Sequence, residues 1–365
     1  MPAYLALVLH AHLPFVRHPE HERFLEEDWF FEALTETYLP LLDVLEGLAR
    51  DGIRYRLTFS LSPTLLSMLS DPLLQQRYRD YLDQRLHALA GEHERTLGDP
   101  DFHPLVQFYT ERYQHLRRRF VDDCAMDVSQ SFRRLMEAGH IEIITCAATH
   151  GYLPLLAVNE ESLYAQLAMA VRTHERILGR RPRGIWLPEC GYFPGLETVL
   201  AQFGLDYFFV DTHGLLNADP RPKYGVHRPV RTPGGPAVFA RDYESSKQVW
   251  STDEGYPGHA AYRDFYRDAG FDVDAPHMHT LRHAGIATFT GLKYHRITGK
   301  TDLKEPYHPE RARACAADHA AHFAHNRAKQ LARLAASFDR SPIVVCPYDA
   351  ELFGHWWFEI GRAHV

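Results

Sequence analysis

Short apolar runs that end in a carboxylate constrain this chain more than any other feature. Residues 184–187 form an apolar run that Pro188 ends, because proline cannot donate to a sheet ladder, and Glu189 follows. Residues 343–346 have the same design, with a Pro-Tyr pair and then Asp349. A charged side chain at the mouth of an apolar strand costs free energy unless something uses it. The two carboxylates therefore predict one shared site.

Seven short apolar runs, including these two, alternate with helical segments, and the alternation predicts an α/β fold. All end in polar, aromatic or charged residues, and they span residues 4–9, 55–59, 141–145, 184–187, 207–210, 286–290 and 343–346. This pattern is typical of a parallel barrel, whose site lies at the carboxyl ends of its strands. Residues 237–241 are interpreted as a short extended piece. The pattern leaves undecided whether the barrel has an eighth strand. A helical, charged stretch of about 65–136 is too long for an ordinary connection and predicts a helical insertion.

Two histidine patterns bear on metal binding. His10 and His12 follow the first strand, and positions two apart in an extended segment point the same way. This spacing suits a metal ion and equally a pair of hydrogen bonds to sugar hydroxyls, so both interpretations stay open. His319, His322 and His325 recur at intervals of three in the long last helix. Their Ala- and Arg-rich neighbours favour an exposed helix face over a metal site.

Composition argues against several classes of protein. The 365 residues carry a net charge of -7 and show no basic face, which argues against nucleic-acid binding. The sequence shows no apolar run of the ~18 residues that a membrane span needs, and the first residues lack the basic region of a signal peptide. The five cysteines include no CxxC pair, so we predict reduced thiols in a cytoplasmic protein.

Two carboxylates in a cleft of histidines and aromatic residues are the machinery of glycoside cleavage. One acts as nucleophile, and the other protonates the leaving oxygen and then activates the incoming group; a retaining enzyme holds them ~5–5.5 Å apart. When a sugar hydroxyl replaces water as acceptor, the same steps give transglycosylation. Most tryptophans could stack on sugar rings or fill the core. Trp356 and Trp357 lie close to Asp349 in the sequence, and we assign them to the substrate site.

Six motifs spread over residues 4–359 resemble those of one family. They are HAHLPF after the first strand, SLSPTL after the second, WLPECGY, RDYESSKQVWS with GYPG, GLKYHRITGK, and PYDAELFGHWWFE. Together they resemble glycoside hydrolase family 57, most of all its branching-enzyme subfamily of 1,4-alpha-glucan 6-glucosyltransferases. The resemblance implies a (β/α)7 barrel, a retaining mechanism, an alpha-1,4-glucan substrate, and neither metal nor other cofactor.

The resemblance also implies residue roles. By position in the motifs, Glu189 would be the nucleophile and Asp349 the acid/base. The other matched positions are implied to contact the glucan. These are Arg241 and Gly258, Trp29 and Trp250 in an acceptor groove, His10, His12, His150 and His295 along the cleft, and Tyr224 in a loop that is mobile in the family.

Alternatives from other classes stay open. In a metal-dependent deacetylase or mannosidase-like hydrolase, His10 and His12 would hold zinc with an aspartate. A glucan-binding protein without activity could also use a barrel scaffold. Within the family, a maltogenic amylase or a 4-alpha-glucanotransferase is the nearest rival, and only the linkage of the product separates these activities.

The end of the chain departs from the family pattern. Members of the family continue into a C-terminal helical domain, whereas residues 360–365 match no part of the family pattern. Codons for residues 359–365 can also be written so that they match a common sequencing adapter. We therefore expect residues 1–359 to form the catalytic barrel and 360–365 to be a non-native tail. Without the helical domain over Trp356 and Trp357, we expect poor solubility, or slow hydrolysis with little branching.

Overall fold

The computed structural model describes residues 1–360, and these contain one eight-stranded sheet. Its strands are β1 (Tyr4–Ala11), β2 (Leu57–Leu61), β3 (Ile141–Cys146), β4 (Gly184–Trp186), β5 (Tyr207–Val210), β6 (Val230–Arg231), β7 (Ala237–Ala240) and β8 (Ile343–Asp349). Their order in the sheet is β6-β7-β5-β4-β3-β2-β1-β8. Seven strands are parallel, while the short β6 pairs antiparallel with β7.

The seven parallel strands form a (β/α)7 barrel, which confirms the parallel barrel predicted from the alternating pattern and the strand number implied by the resemblance. Apart from β6, the strands are arranged around the sheet in their chain order, with β8 next to β1. The two ends of this arrangement meet just beyond β7, where the N–H of Asp242 donates to the C=O of Val345 in β8 at 2.9 Å. Since all seven strands run the same way, their carboxyl ends open at one mouth.

One predicted strand is wrong, and another segment takes its place. The short extended piece predicted at residues 237–241 supplies β7, whereas residues 286–290 are not in the sheet. Ile286 is 68% exposed, and the carboxylate of Asp268 accepts the N–H of Thr290 at 2.9 Å. Both segments are short and apolar, so the local sequence does not distinguish them. The tertiary structure decides which of them fills the strand position between β5 and β8.

Helices surround the sheet. Within residues 1–360 the α-helices are α1 (Glu27–Ala33), α2 (Leu39–Arg50), α3 (Pro63–Leu69), α4 (Pro72–Arg95), α5 (His103–Arg118), α6 (Val128–Glu137), α7 (Leu153–Leu156), α8 (Glu160–Leu178), α9 (Leu196–Gln202), α10 (Thr212–Leu216), α11 (Tyr243–Trp250), α12 (Ala269–Asp272), α13 (Pro276–His279) and α14 (Pro309–Ser337). Two π-helical turns, Leu34–Tyr38 and Arg119–Asp123, and two 3₁₀ turns, Pro188–Cys190 and Ala350–Leu352, complete the set. Across this described range, every helix is too short or too polar to cross a bilayer.

Local sequence signals set several helix boundaries. The carboxylate of Asp71 accepts the N–H groups of Leu73 and Leu74 at the start of α4, and Asp127 caps α6 in the same way. Gly179 ends α8 in the left-handed conformation, with φ 74°. Asp is a residue type that accepts hydrogen bonds from the unpaired N–H groups at the start of a helix. Gly readily adopts the left-handed conformation that ends one.

Helices α3 to α6 lie between β2 and β3 and support a distant loop. The hydroxyls of Tyr109 and Tyr113 in α5 donate to the C=O groups of Lys293 at 2.8 Å and Thr290 at 3.3 Å. Because these carbonyls belong to the long connection between α11 and α14, the helical segment fixes part of a loop that the sheet does not hold.

The predicted boundary of the tail falls within the described core. Ile360 is 2% exposed and lies in the main hydrophobic cluster. Residues 361–365, the rest of the predicted tail, lie outside the described residues. Ile360 is thus a packed residue whatever its origin.

Substitution of Gly354 tests how closely the segment after β8 approaches the π-helical turn Leu34–Tyr38. Its φ is 129°, and a Cβ there would lie 1.8 Å from the backbone oxygen of Glu36. We expect Gly354→Ala to lower the free energy of unfolding by ~2–5 kcal/mol, because ~1–2 kcal/mol of backbone strain adds to ~1–3 kcal/mol of overpacking. Denaturant unfolding measures this change.

Gly52 supplies the matched control, because its φ is 73° and a Cβ there would meet no atom within 4 Å. We expect Gly52→Ala to show the backbone strain alone, ~1–2 kcal/mol. Equal losses in the two variants would contradict the close approach at Gly354.

Candidate active site

Glu189 lies in a strained turn at the carboxyl end of β4. The 3₁₀ turn Pro188–Cys190 follows the strand directly, and the N–H of Gly191 donates back to the C=O of Pro188 at 2.9 Å. Glu189 has φ 53° and ψ 27°, a left-handed conformation that costs free energy for any residue with a Cβ. The surrounding turn holds this conformation, which sets the direction in which the carboxylate leaves the strand.

Asp349 is the last residue of β8, and it pairs in register with His10 on β1. Burial raises the pKa of Asp349 to about 6, Arg241 opposes this increase, and the charge of Glu189 adds to it. Glu189 and Asp349 lie at the ends of strands whose carboxyl ends open at one mouth, so a negative charge on Glu189 disfavours ionisation of Asp349. Near pH 6, a substantial fraction of Asp349 therefore carries a proton that it can donate.

Arg241 connects the carboxyl ends of neighbouring strands. It follows β7, and its Nη1 donates to the C=O of Pro347 in β8 at 3.2 Å. Its Nε lies 3.9 Å from Oδ2 of Asp211, which follows β5. The guanidinium group is thus held near Asp349, where it can balance the carboxylate's charge.

Three histidine rings stack at the carboxyl ends of β1 and β3. The ring centroids of His12 and His150 are 3.9 Å apart, and the Nε2 atoms of His10 and His150 are 3.0 Å apart. His10 also stacks on Trp186 at 5.0 Å. Burial lowers the pKa of all three histidines, that of His12 to about 3. The rings are therefore neutral near pH 7, and each has one nitrogen that donates and one that accepts.

Two serines hold these histidines, although sequence analysis did not select them. Ser60 Oγ lies 3.0 Å from His10 Nδ1, and Ser62 Oγ lies 3.0 Å from His12 Nδ1. The signal was present, because the SLS sequence at the end of β2 has the same two-residue spacing as HAH. His10 and Ser60 are register partners on adjacent parallel strands, so equal spacing brings both pairs together.

Glu351 is a third acidic residue near Asp349 that sequence analysis missed. Its Oε1 accepts the backbone N–H of His12 at 3.3 Å and the hydroxyl of Tyr38. Burial raises the pKa of Glu351 to about 8, the Tyr38 hydrogen bond opposes this rise, and the charge of Asp349 adds to it. Glu351 is therefore protonated at neutral pH, and it anchors the segment after β8 without adding a second negative charge.

Exposed tryptophans lie on the segments next to this centre. Trp356 is 45% exposed, and its ring lies 6.0 Å from that of Trp250. Trp29 is 51% exposed and contributes to a cavity of about 360 Å³. The cavity is also lined by Phe265, Phe271, Phe289, Glu32 and His355. Since His355 precedes Trp356, the cavity and the tryptophan pair are neighbours along the same segment.

Trp357 and Tyr224 do not lie where their assignment to the substrate site requires. Trp357 is 4% exposed and packs against Tyr256 and Tyr262 in the core, so its ring cannot stack on a sugar. The hydroxyl of Tyr224 donates to Asp339, which precedes the first residue of β8. Tyr224 therefore lies at the amino end of the barrel strand, opposite to the mouth that holds Asp349.

His295 and Gly258 have structural roles that sequence analysis did not anticipate. The ring of His295 packs against the edge of Phe102, 5.7 Å away, and its C=O accepts the N–H of Asp264. A Cβ at Gly258 would lie 1.9 Å from the backbone oxygen of Thr252, so the loop needs glycine there. Both positions therefore have a structural role beside the glucan contact that the resemblance implies.

One set of site residues has the spacing of metal ligands. His10, Cys146 and His150 offer ligand atoms within 4.8 Å of one another. The set contains a thiol where the zinc-hydrolase alternative requires an aspartate, and burial raises the pKa of that thiol. His10 and His150 already engage each other through Nε2. This donor set favours hydrogen bonding to a polar ligand.

Comparison with known proteins gives consistent matches. The family model described as Glycosyl hydrolase family 57 matches residues 6–357. The 1,4-alpha-glucan branching enzyme of Thermococcus kodakarensis is 35% identical over 389 residues, which covers 98% of this chain. The crystal structure of an alpha-amylase from Thermotoga maritima is 42% identical with a TM-score of 0.94, covering 100% of this chain and 71% of that one. A GH57-type branching enzyme from Pyrococcus horikoshii is 35% identical with a TM-score of 0.86, covering 99% and 66%.

The matched proteins are longer than this chain. It spans 54% of the Thermococcus kodakarensis enzyme, or about half of its length.

The pKa of Asp349 tests the coupling at the barrel mouth. We expect Glu189→Gln to lower this pKa, because it removes a negative charge, and Arg241→Gln to raise it, because it removes a positive one. The carboxyl carbon shift of Asp349, followed against pH in ¹³C-labelled protein, measures both changes. Glu142→Gln, at an exposed position of β3, is the control and should leave the pKa unchanged. An unchanged pKa in Glu189→Gln would show that the two carboxylates do not share a site.

Proposed function

The chain belongs to glycosyl hydrolase family 57, and we propose that it carries the catalytic site of an alpha-1,4-glucan branching enzyme, which forms alpha-1,6 linkages. The observation that carries this proposal is the placement of Glu189 and Asp349 at the carboxyl ends of β4 and β8, which open at one mouth. Two interacting carboxyl groups, one of them with a raised pKa, suit glycosyl transfer. The product linkage is proposed by analogy with the Thermococcus kodakarensis and Pyrococcus horikoshii enzymes.

The proposed mechanism retains the configuration at the anomeric carbon. Glu189 attacks that carbon and forms a glycosyl ester, while Asp349 gives its proton to the departing glycosidic oxygen. The carboxylate of Asp349 then takes the proton from a 6-hydroxyl of a second glucan, whose oxygen displaces Glu189. The raised pKa of Asp349 supports the acid role, since the protonated form that starts the reaction is lost as pH rises through about 6.

The neighbouring groups have proposed roles in substrate binding. Neutral His10, His12 and His150 would exchange hydrogen bonds with sugar hydroxyls, and Arg241 would hold the donor chain near Asp349. Trp29 and Trp356 are exposed and Trp250 is partly buried beside Trp356, and acceptor sugar rings could stack on these aromatic faces. Stacking of this kind would favour a glucan over water as acceptor, which is what branching requires.

Hydrolysis is the second candidate activity, because the alpha-amylase from Thermotoga maritima matches this chain with 42% identity and a TM-score of 0.94. In that case water would take the place of the 6-hydroxyl in the second step. The two carboxylates would have the same roles, so the site itself does not separate the two products.

The wider biological setting is also a proposal. We propose that residues 1–359 act as one catalytic unit, with the helical segment of about 65–136 supporting its loops, and that the protein serves glycogen synthesis in the cytoplasm. The five cysteines are free thiols, three of them buried, which supports a reducing compartment.

Substitution of the two carboxylates separates their roles. We expect Glu189→Gln to abolish transfer from amylose, because no covalent intermediate can form. Asp349→Ala should lose ~10²–10⁴-fold on glucan but much less on an aryl glycoside, whose good leaving group needs little protonation. Steady-state rates on both substrates measure this. Rescue of Asp349→Ala by azide with inverted configuration, together with an active Glu189→Gln, would reverse the assigned roles.

The linkage of the product separates branching from hydrolysis. With amylose as substrate, branching should create 1,6 linkages, counted by NMR or by debranching, with little increase in reducing ends. We expect Trp356→Ala to shift the ratio toward reducing ends, because it removes a stacking surface for the acceptor. Leu303→Ala, an exposed apolar side chain on a separate loop, is the control. New reducing ends without 1,6 linkages in the unaltered protein would favour the amylase.

A further inference from the structure

A second set of metal-ligating side chains lies on α14 and the loop after α11. His259, Cys315 and His319 each offer one ligand atom, and these atoms lie within 4.8 Å of one another. His259 is exposed, while the other two are partly buried, so the cluster is open to solvent. We propose that this cluster binds a divalent metal ion of the zinc type.

The backbone already brings the ligands together. Cys315 and His319 are four residues apart on α14 and therefore lie on one face of the helix, one turn apart. His259 reaches them from the loop, with its Nδ1 3.2 Å from Cys315 Sγ. A tetrahedral Zn²⁺ with bonds of ~2.3 Å to sulfur and ~2.05 Å to nitrogen separates two such ligands by ~3.6 Å. The His259–Cys315 separation is already close to this value, and an ion would replace the N–H of Ala261, which donates to His259 Nδ1 at 3.2 Å.

Neighbouring tyrosines orient the imidazole of His319. Its Nδ1 lies 2.6 Å from the hydroxyl of Tyr262, so we assign Nε2 as the atom that would bind the ion. Tyr256 stacks on the same ring at 4.6 Å and places its hydroxyl 2.8 Å from His322 Nδ1. Hydrogen bonds of this kind to the second ring nitrogen are typical of metal-binding histidines, because they fix the tautomer and the ring plane.

The donor set selects the class of metal. One thiolate and two imidazoles suit Zn²⁺, whereas Mg²⁺ and Ca²⁺ prefer oxygen ligands. Three protein ligands leave the fourth position for water. Binding displaces the proton of the Cys315 thiol into solvent, so the apparent affinity falls as pH is lowered.

The cluster changes how the histidines of α14 are understood. The Ala- and Arg-rich neighbours of His319, His322 and His325 predict an exposed helix face. In the structure, His319 faces the loop that carries His259, while His325 is exposed. A bound ion would fasten this loop, which includes Gly258, to the helix.

Cobalt binding to the full chain tests the proposal. We expect stoichiometric Co²⁺ to give a near-ultraviolet thiolate-to-cobalt band and tetrahedral visible bands, both removed by competing Zn²⁺. Cys315→Ser should lose the ultraviolet band, and His259→Gln and His319→Gln should weaken affinity at least ~10-fold. His325→Gln, the same substitution on the same helix but away from the cluster, is the matched control and should bind like the unaltered chain.

Several results would overturn the proposal. These are a missing thiolate band in the unaltered chain, an unchanged band in Cys315→Ser, and loss of affinity in His325→Gln as large as in His319→Gln. Loss of the band in Cys146→Ser but not in Cys315→Ser would instead place the ion at His10 and His150. Far-ultraviolet circular dichroism checks that each variant is folded, and the two histidine variants keep the test valid if a cysteine variant is not.

Discussion

The pairing of the first strand with the last is the contact on which the site depends. β1 and β8 are paired over seven residues, from Tyr4 opposite Ile343 to His10 opposite Asp349. β1 also pairs with β2, which brings Ser60 beside His10. A shift of one residue in this register would turn every side chain of the strand to the other face of the sheet. The histidines, the serines and Asp349 therefore occupy one mouth because of backbone hydrogen bonds made along the barrel wall.

The pKa of a buried carboxyl group near the mouth depends on whether the group has a cationic partner. Burial alone would raise the pKa of Glu36, but Arg263 and His355 hold it at about 2, with oxygen-to-nitrogen distances of 2.8 and 2.7 Å. Glu351 is bonded to a hydroxyl and a backbone N–H, and its pKa rises to about 8. Asp349, with Arg241 near one side and Glu189 on another, falls between them at about 6. The partners available to each carboxyl group decide which acids are anionic at neutral pH.

The segment after β8 serves both the core and the mouth. Gly354 passes so close to the backbone of Glu36 that a methyl group would not fit. Two residues later, Trp356 is half exposed beside Trp250, while its neighbour Trp357 is buried against Tyr256 and Tyr262. Tight packing on one side thus holds an aromatic surface in place on the other.

The sequence by itself determined the class of fold, six of the seven barrel strands, and the strand-end positions of Glu189 and Asp349. Apolar runs and the prolines that end them are local signals, so they can be recognised without knowing what they touch. Tertiary structure decided what depends on which segments meet. It chose residues 237–240 over 286–290 for the vacant strand position, placed Tyr224 at the wrong end of the barrel for substrate, and buried Trp357. It also brought His259 next to Cys315 and His319. His259 is far from the other two in the chain and shares no sequence pattern with them, so only the folded backbone brings its loop to α14.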